Sequence, residues 1–160
     1  MRGLALITVD GVLRDPSTSN PILDGVDLYN ALSYVYRLAV IVEQPGDETW
    51  LELHGFAAHQ YTVTRRPEDP VDPAICRLRQ VERIRGFREN LRLVVDPDPG
   101  VAATLFRIGV PVLHFVQPAY ARPEYAPDYE APVTPWDEMV RELDRVRALR
   151  AADRRIQEEI

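Results

Sequence analysis

The sequence contains no lysine, one cysteine and three histidines, and each shortage removes a class of chemistry. Without lysine, the chain has neither a Schiff-base lysine nor the lysine of a Walker phosphate-binding loop. The single cysteine, Cys76, excludes an internal disulfide and a cysteine-rich zinc site. The histidines lack the close helical spacing of paired zinc ligands, so a histidine zinc site is not expected either.

Long apolar runs and basic blocks are also missing. No stretch approaches the roughly eighteen uninterrupted apolar residues of a transmembrane helix, so no membrane association is expected. The apolar start of the chain meets Asp10 rather than a small-residue cleavage site, which favours a cytoplasmic protein without a signal peptide. The net charge is −6, and the arginines of the chain do not cluster into a basic block. Both features argue against nucleic acid as a partner.

Short apolar runs alternate with segments of helical periodicity along residues 1–116. Apolar runs of this length are typical of strands buried on both faces of a parallel sheet. The predicted strands are Leu4–Val9, Leu38–Val42, Gln60–Thr64, Leu91–Val95 and Val110–Val116. Four helices are predicted: one that begins at the N-cap Asp24, and three that span Asp47–His54, Pro73–Arg85 and Val101–Ile108. Trp50 and Leu53 of the second helix are expected in the core. This alternation predicts an α/β fold: a Rossmann-like parallel sheet flanked by helices, with right-handed crossovers.

The composition changes after residue 116. Five prolines between Gln117 and Pro135 predict an extended proline-rich arm over 117–135. Thr134-Pro135-Trp136-Asp137 is typical of a helix start, and predicts a C-terminal helix over 136–160 that is first amphipathic and then charged. Its apolar face either docks on the chain's own sheet or engages a protein partner or a second copy.

Acidic residues follow three of the predicted strands: Asp10 the first, Glu43 the second, and Asp96 with Asp98 the fourth. Ligands of an open parallel sheet bind beyond the carboxyl ends of its strands. If these strands are neighbours, the acids meet at one rim and suit a hard cation such as Mg²⁺. The alternative is that acids at strand ends only cap helices and turns.

Two segments carry a resemblance to a known superfamily. Ile7-Thr8-Val9-Asp10-Gly11-Val12-Leu13 resembles the first motif of the haloacid dehalogenase-like (HAD-like) superfamily, an apolar strand running into D-x-D-G-[TV]-[LV]. Leu93-Val94-Val95-Asp96-Pro97-Asp98-Pro99-Gly100 resembles its acidic fourth motif. The similarity extends over roughly 4–116, and small HAD-like proteins of actinobacterial phages look similar, including a proline-rich C-terminal arm. The resemblance implies a HAD-like sheet. If the protein is phage-encoded, it is expected in the host cytoplasm or in the virion.

The resemblance assigns roles to the first and fourth motifs. Thr8 stands where the superfamily keeps its attacking aspartate, and a threonine hydroxyl is a poor nucleophile without an adjacent base. Asp10 matches the general acid/base and so is a remnant of the catalytic pair. Asp96 matches the metal-binding acid, and with Asp10 and Asp98 it implies at most a weak Mg²⁺ site.

The second and third motifs depart from the superfamily's pattern as well. Glu43, or Gln44 if the register slips, stands where a serine or threonine holds the phosphate, and a carboxylate there repels a phosphoryl group. The third motif usually offers a lysine; Arg77 or Arg79 replaces it only in part, because a guanidinium reaches and orients differently.

These departures predict a catalytically impaired pseudoenzyme with a binding, assembly or structural role. The alternative is a Mg²⁺-dependent phosphohydrolase of phosphatase or nucleotidase type, in which a water replaces the nucleophile. The first two motifs are too close for a large cap domain, so such a site would be open to an exposed phosphate. A nucleotide-binding regulator has no glycine-rich fingerprint to support it.

Overall fold

The structure is a computed structural model that describes residues 2–117, 139–145 and 148. Its elements follow the chain in this order: β1 (Leu4–Thr8), α1 (Leu23–Val35), β2 (Arg37–Val42), α2 (Asp47–Leu53), β3 (His59–Thr64), α3 (Pro73–Gly86), β4 (Leu91–Asp96), α4 (Pro99–Arg107) and β5 (Val112–His114). The five strands form one parallel sheet in the order β3-β2-β1-β4-β5. The predicted Rossmann-like α/β fold is confirmed.

Two apolar layers hold the sheet between its helices. On one face, Tyr29 of α1 and Leu51 of α2 pack with Ala5, Ile7 and Val40. The opposite face is formed by the other side chains of the same strands together with α3 and α4, including Leu4, Leu6, Val81, Ile84 and Leu105. Every residue of β1 is buried, which explains the uninterrupted apolar run. Full burial of each such aliphatic side chain contributes about 1.5–3 kcal/mol.

The sheet topology brings the carboxyl ends of three strands together. The central strand β1 pairs with β2 on one side and with β4 on the other. The chain therefore reverses its direction of winding between β1 and β4, and this is the point at which ligands bind in open α/β sheets. The acids that follow β1 and β2 and the acid that ends β4 meet there, as their positions in the sequence predict.

Two local predictions were wrong. Asp24 does not cap α1, because the helix begins at Leu23 with Ile22 at its N-cap and no side-chain cap. Ile22 is buried in the core and donates its backbone N–H to the carbonyl of Leu13, which fixes the helix start two residues earlier than Asp24 would place it. Leu53 is not a core residue: it is 77% exposed at the end of α2, whereas Trp50 packs against the core.

The C-terminal prediction is only partly within the described residues. Residues 139–145 are helical, and Glu142 is buried against α4, where it forms an ion pair with Arg107 at 3.3 Å. This part of the predicted helix therefore contacts the chain's own domain. The arm over 118–135, the helix start at Thr134–Asp137 and residues 149–160 lie outside the described residues. No helix of the described part is long and apolar enough to cross a membrane.

Candidate functional site

A cavity of about 430 Å³ opens at the carboxyl ends of β1, β2 and β4. Its polar lining consists of all six predicted site residues together with Arg14, Ser19, Gln44 and Gln117. The predicted residues are Thr8, Asp10, Glu43, Arg77, Asp96 and Asp98. The structure therefore brings all six residues together at one cavity. Whether these residues have the predicted roles depends on what each side chain contacts.

Thr8 and Asp96 form the floor of the cavity. The Thr8 hydroxyl donates a 2.8 Å hydrogen bond to Oδ2 of Asp96, and both side chains are buried. The pair joins the ends of neighbouring strands, since β1 and β4 are paired through Ile7 and Val95. Asp96 also accepts the backbone N–H of Asp98 at 2.9 Å, through Oδ1.

Arg77 reaches into the cavity from α3 and binds three acceptors. Its Nε donates to Oδ2 of Asp96 at 3.0 Å and its Nη2 to Glu43 at 3.0 Å. Its Nη1 donates to Gln80 at 2.5 Å. The guanidinium therefore bridges the acid that ends β4 and the acid that follows β2. Arg79, the other candidate for the lysine position, is exposed and does not line the cavity.

Arg14, which also lines the cavity, forms a second bridge between two acids. Its Nε donates to Asp10 at 2.6 Å and its Nη2 to Asp47 at 2.8 Å, and the guanidinium stacks over Trp50 at 5.3 Å. Burial lowers the pKa of Arg14, but its hydrogen bonds to the two acids outweigh burial and leave its pKa raised. Asp10 is thus an ion-pair partner of a permanently charged arginine.

Asp47 is a buried acid at the start of α2. Its Oδ2 accepts the backbone N–H groups of Glu43 and Gln44, each at 3.0 Å, while Oδ1 accepts Arg14. Consecutive backbone N–H groups at the end of a strand are an anion-binding arrangement, and here a carboxylate of the chain itself occupies it.

Asp98 matches the capping alternative. It is the N-cap of α4, where its side chain accepts the backbone N–H groups of Gly100 and Val101. Within residues 2–117 and the described part of the C-terminal helix, no three acidic, histidine or cysteine side chains are grouped closely enough to hold a metal ion.

The charge that the cavity shows to solvent is negative. The side chains of Asp10 and Glu43 are 31% and 39% exposed, whereas those of Arg14 and Arg77 are 11% and 5% exposed. The arginines lie beneath the acids that they neutralise. An approaching phosphate therefore meets carboxylates first, which is unfavourable at short range.

Sequence reasoning missed three residues of the site: Arg14, Asp47 and Gln80. Arg14 stands in a loop whose course the sequence does not specify, and Asp47 follows such a loop as the first residue of α2. The signal available for Asp47 was an acid directly after Pro45-Gly46, a common way to organise a turn before a helix. Gln80 is fully buried one turn after Arg77, and nothing in the sequence shows that this polar side chain is buried.

Neither a known protein family nor a curated protein sequence is similar enough to the chain to match it. Among solved structures, the chain is similar to one in the structure of the Pnkp1/Rnl/Hen1 RNA repair complex, with a TM-score of 0.56 and 11% identity. The similarity covers 72% of this chain and 42% of that chain, so this protein spans less than half the length of its neighbour. At this identity the likeness bears on the fold alone, and it agrees with the α/β architecture.

Proposed function

We propose that the protein is a HAD-like scaffold without phosphohydrolase activity, retained for binding or assembly. The observation that carries this proposal is the Thr8–Asp96 hydrogen bond. Thr8 occupies the end of the central strand, where the resemblance puts the attacking carboxylate, and its hydroxyl is directed at Asp96 rather than at the open cavity.

A threonine attacks phosphorus only when a neighbouring base takes its proton. Asp96 is the neighbour, but the same oxygen that accepts the Thr8 hydroxyl is the ion-pair partner of Arg77. Loss of a covalent or electrostatic contribution of this kind is worth about 10²-fold or more in rate. The missing lysine and the acid at position 43 lower the rate further.

The alternative function is a Mg²⁺-dependent phosphohydrolase with weak activity. The specific observation in its favour is that Asp10 and Asp96 line one open cavity, as such a site requires. In that case a water replaces the nucleophile, and the substrate is an exposed phosphate such as the end of a macromolecule.

The binding role would use a protein partner or a second copy, engaged through the arm and the C-terminal helix. In the described part of that helix, Val140 is 51% exposed while Glu142 is held against α4. An apolar side chain on the outer side of a docked helix suits a further protein contact. A phage-encoded assembly protein would act in the host cytoplasm or in the virion.

The test is a turnover assay on the purified protein with p-nitrophenyl phosphate and Mg²⁺, with Asp10→Asn as the matched variant. We expect equal background hydrolysis from both proteins, because Asp10 has no nucleophile to assist. Turnover by the wild type that disappears in Asp10→Asn would overturn the proposal in favour of the phosphohydrolase.

A further inference from the structure

We infer that the cavity at the carboxyl ends of β1, β2 and β4, called the cleft from here on, is filled by ligands from the chain itself and is in this sense self-liganded. The Arg77 guanidinium takes the place of the divalent cation that a HAD-like phosphohydrolase would bind there. The Asp47 carboxylate takes the place of the anionic phosphate. The inference rests on the proposed function, because it names what fills the same cleft. It concerns binding alone and needs no assumption about turnover.

The acids of the cleft do not fit Mg²⁺. Mg²⁺ requires near-octahedral oxygen ligands at about 2.0–2.1 Å. Oδ2 of Asp96 already accepts Arg77 and Thr8, and Oδ1 accepts a backbone N–H. Asp10, the other acid that the resemblance assigns to the metal, is directed at Arg14. A metal ion at Oδ2 of Asp96 would have to displace the Arg77 guanidinium or the Thr8 hydroxyl from its hydrogen bond.

Displacing Arg77 is unfavourable because its guanidinium is buried and forms a hydrogen bond through each of its three nitrogens. Its three nitrogens donate to three different side chains, two of them acids, and only 5% of its side chain is exposed. Removing one partner from a buried ion pair leaves an uncompensated charge, which is strongly unfavourable. The guanidinium supplies the positive charge that the acids need, without a metal.

The anion position is filled in the same way. Two consecutive backbone N–H groups after β2 and the Nη2 of Arg14 all donate to the carboxylate of Asp47, which is 2% exposed. Backbone N–H groups with an arginine beside them are a common arrangement for binding phosphate. Asp47 brings its own negative charge to these donors, so a phosphate from solution finds them occupied.

Glu43 joins the two halves of this arrangement. Its carboxylate accepts a hydrogen bond from Arg77, which takes the place of the cation. Its backbone N–H donates a hydrogen bond to Asp47, which takes the place of the anion. Arg77 and Asp47 therefore both contact the residue that follows β2. This is the residue that the resemblance places at the phosphate position.

The cation half is tested with the full-length wild type, Arg77→Met, and Arg83→Met as the matched control. Arg83 also leaves α3 to pair with a buried acid, Asp69, but outside the cleft. Mg²⁺ binding is measured by calorimetry and by thermal unfolding against sodium chloride of equal ionic strength. We expect no response from the wild type or Arg83→Met, and a rise of about 3 °C or more in melting temperature for Arg77→Met.

The anion half is tested with Asp47→Ala, and with Asp69→Ala as its control. Asp69 likewise accepts hydrogen bonds from a backbone N–H and an arginine, but its arginine, Arg83, does not line the cleft, whereas Arg14 does. Inorganic phosphate is titrated into each protein under the same conditions. We expect phosphate to raise the melting temperature of Asp47→Ala by about 3 °C or more and to leave the wild type and Asp69→Ala unchanged.

Binding of Mg²⁺ or phosphate to the wild type below about 1 mM would overturn the inference, even if neither variant folds. A folded Arg77→Met or Asp47→Ala that does not respond would overturn the corresponding half. Failure here is distinguishable from failure of the proposed function: a wild type that binds Mg²⁺ without turnover defeats only the self-liganded cleft, whereas turnover that depends on Asp10 defeats the proposed function.

Discussion

Thr8 and Asp96 lie side by side at the ends of two neighbouring parallel strands and share one hydrogen bond of 2.8 Å. The proton on Thr8 makes this contact favourable, because two carboxylates at the same separation would repel each other. Arg77 is the cation that pairs with Asp96 within the described residues, and its hydrogen bonds are already divided among three acceptors. The charges around Asp96 therefore suit an uncharged hydroxyl at position 8 better than a second carboxylate.

Thr8→Asp should lower stability without restoring hydrolysis. The new carboxylate would lie buried beside Asp96, where Arg77 is already engaged with other acceptors, and we expect this to cost about 2–4 kcal/mol. Urea unfolding and the p-nitrophenyl phosphate assay measure the two effects. Thr8→Val, which loses only the hydrogen bond, should cost about 1–2 kcal/mol. Phosphatase turnover in Thr8→Asp would show that the rest of the catalytic site is still aligned.

The two acids of the first and fourth motifs should differ in their importance for folding. Asp96→Ala leaves Arg77 without its most buried acid, and we expect a loss of about 3–5 kcal/mol in the free energy of unfolding. Asp10→Ala should cost about 1 kcal/mol or less, since Asp10 is more exposed and Arg14 keeps Asp47. Chemical denaturation of both variants decides this, and equal losses would contradict the burial argument.

Gly25 should tolerate no side chain. A Cβ added there would lie 1.6 Å from the carbonyl oxygen of Val12, because α1 crosses the turn after β1 at this residue. We expect Gly25→Ala to lower the free energy of unfolding by about 3 kcal/mol or to prevent folding. Gly86→Ala is the control: nothing lies within 4 Å of its added Cβ. That change should be neutral or stabilising by about 0.5–1 kcal/mol, and a large loss there would contradict the packing.

Acid should weaken the Asp69–Arg83 pair in a defined window. The hydrogen bond from Arg83 lowers the pKa of Asp69 from 3.8 to about 2. The folded state therefore binds this proton less readily than the unfolded chain does. The stabilising effect is fully present above pH 3.8 and is lost as the pH falls towards 2. Unfolding measured from pH 5 to pH 2 should show a steeper loss in the wild type than in Asp69→Asn, and parallel curves would exclude the effect.

His59 should make stability depend on pH near neutrality. Its Nδ1 lies 2.9 Å from the Tyr29 hydroxyl, and burial lowers the pKa of His59 below 6.5. Because the folded state disfavours the charged ring, the stabilising effect is complete above pH 6.5 and is lost as the pH falls below it. A titration followed by NMR should give a pKa for His59 under 6.5, and His59→Gln should flatten the pH dependence. A pKa at or above 6.5 would be the contrary result.

The meeting of three acids at one cavity was predictable from the sequence because it follows from backbone features. Uninterrupted apolar runs require strands buried on both faces, and parallel strands bring their carboxyl ends to one rim. Asp10, Glu43 and Asp96 each stand directly at such an end, so any neighbouring arrangement of β1, β2 and β4 brings them together.

The pairing of side chains was not predictable in the same way. The sequence offers 19 basic residues, all arginine, and does not indicate which of them turn inward. Arg77 and Arg79 are two residues apart on α3, so they point to different sides of the helix, and the packing of that helix on the sheet buries the first and exposes the second. Asp47 depends on the course of a loop, and Leu53 on where a short helix ends.

The most direct test of the account is a crystal structure of the wild type grown with Mg²⁺ and orthovanadate, a phosphate analogue. We predict that Thr8 still donates to Asp96, that Arg77 still bridges Asp96 and Glu43, and that neither Mg²⁺ nor vanadate occupies the cleft. A Mg²⁺ ion coordinated by Asp10 and Asp96, with the Arg77 guanidinium displaced and vanadate beside Thr8, would contradict the account.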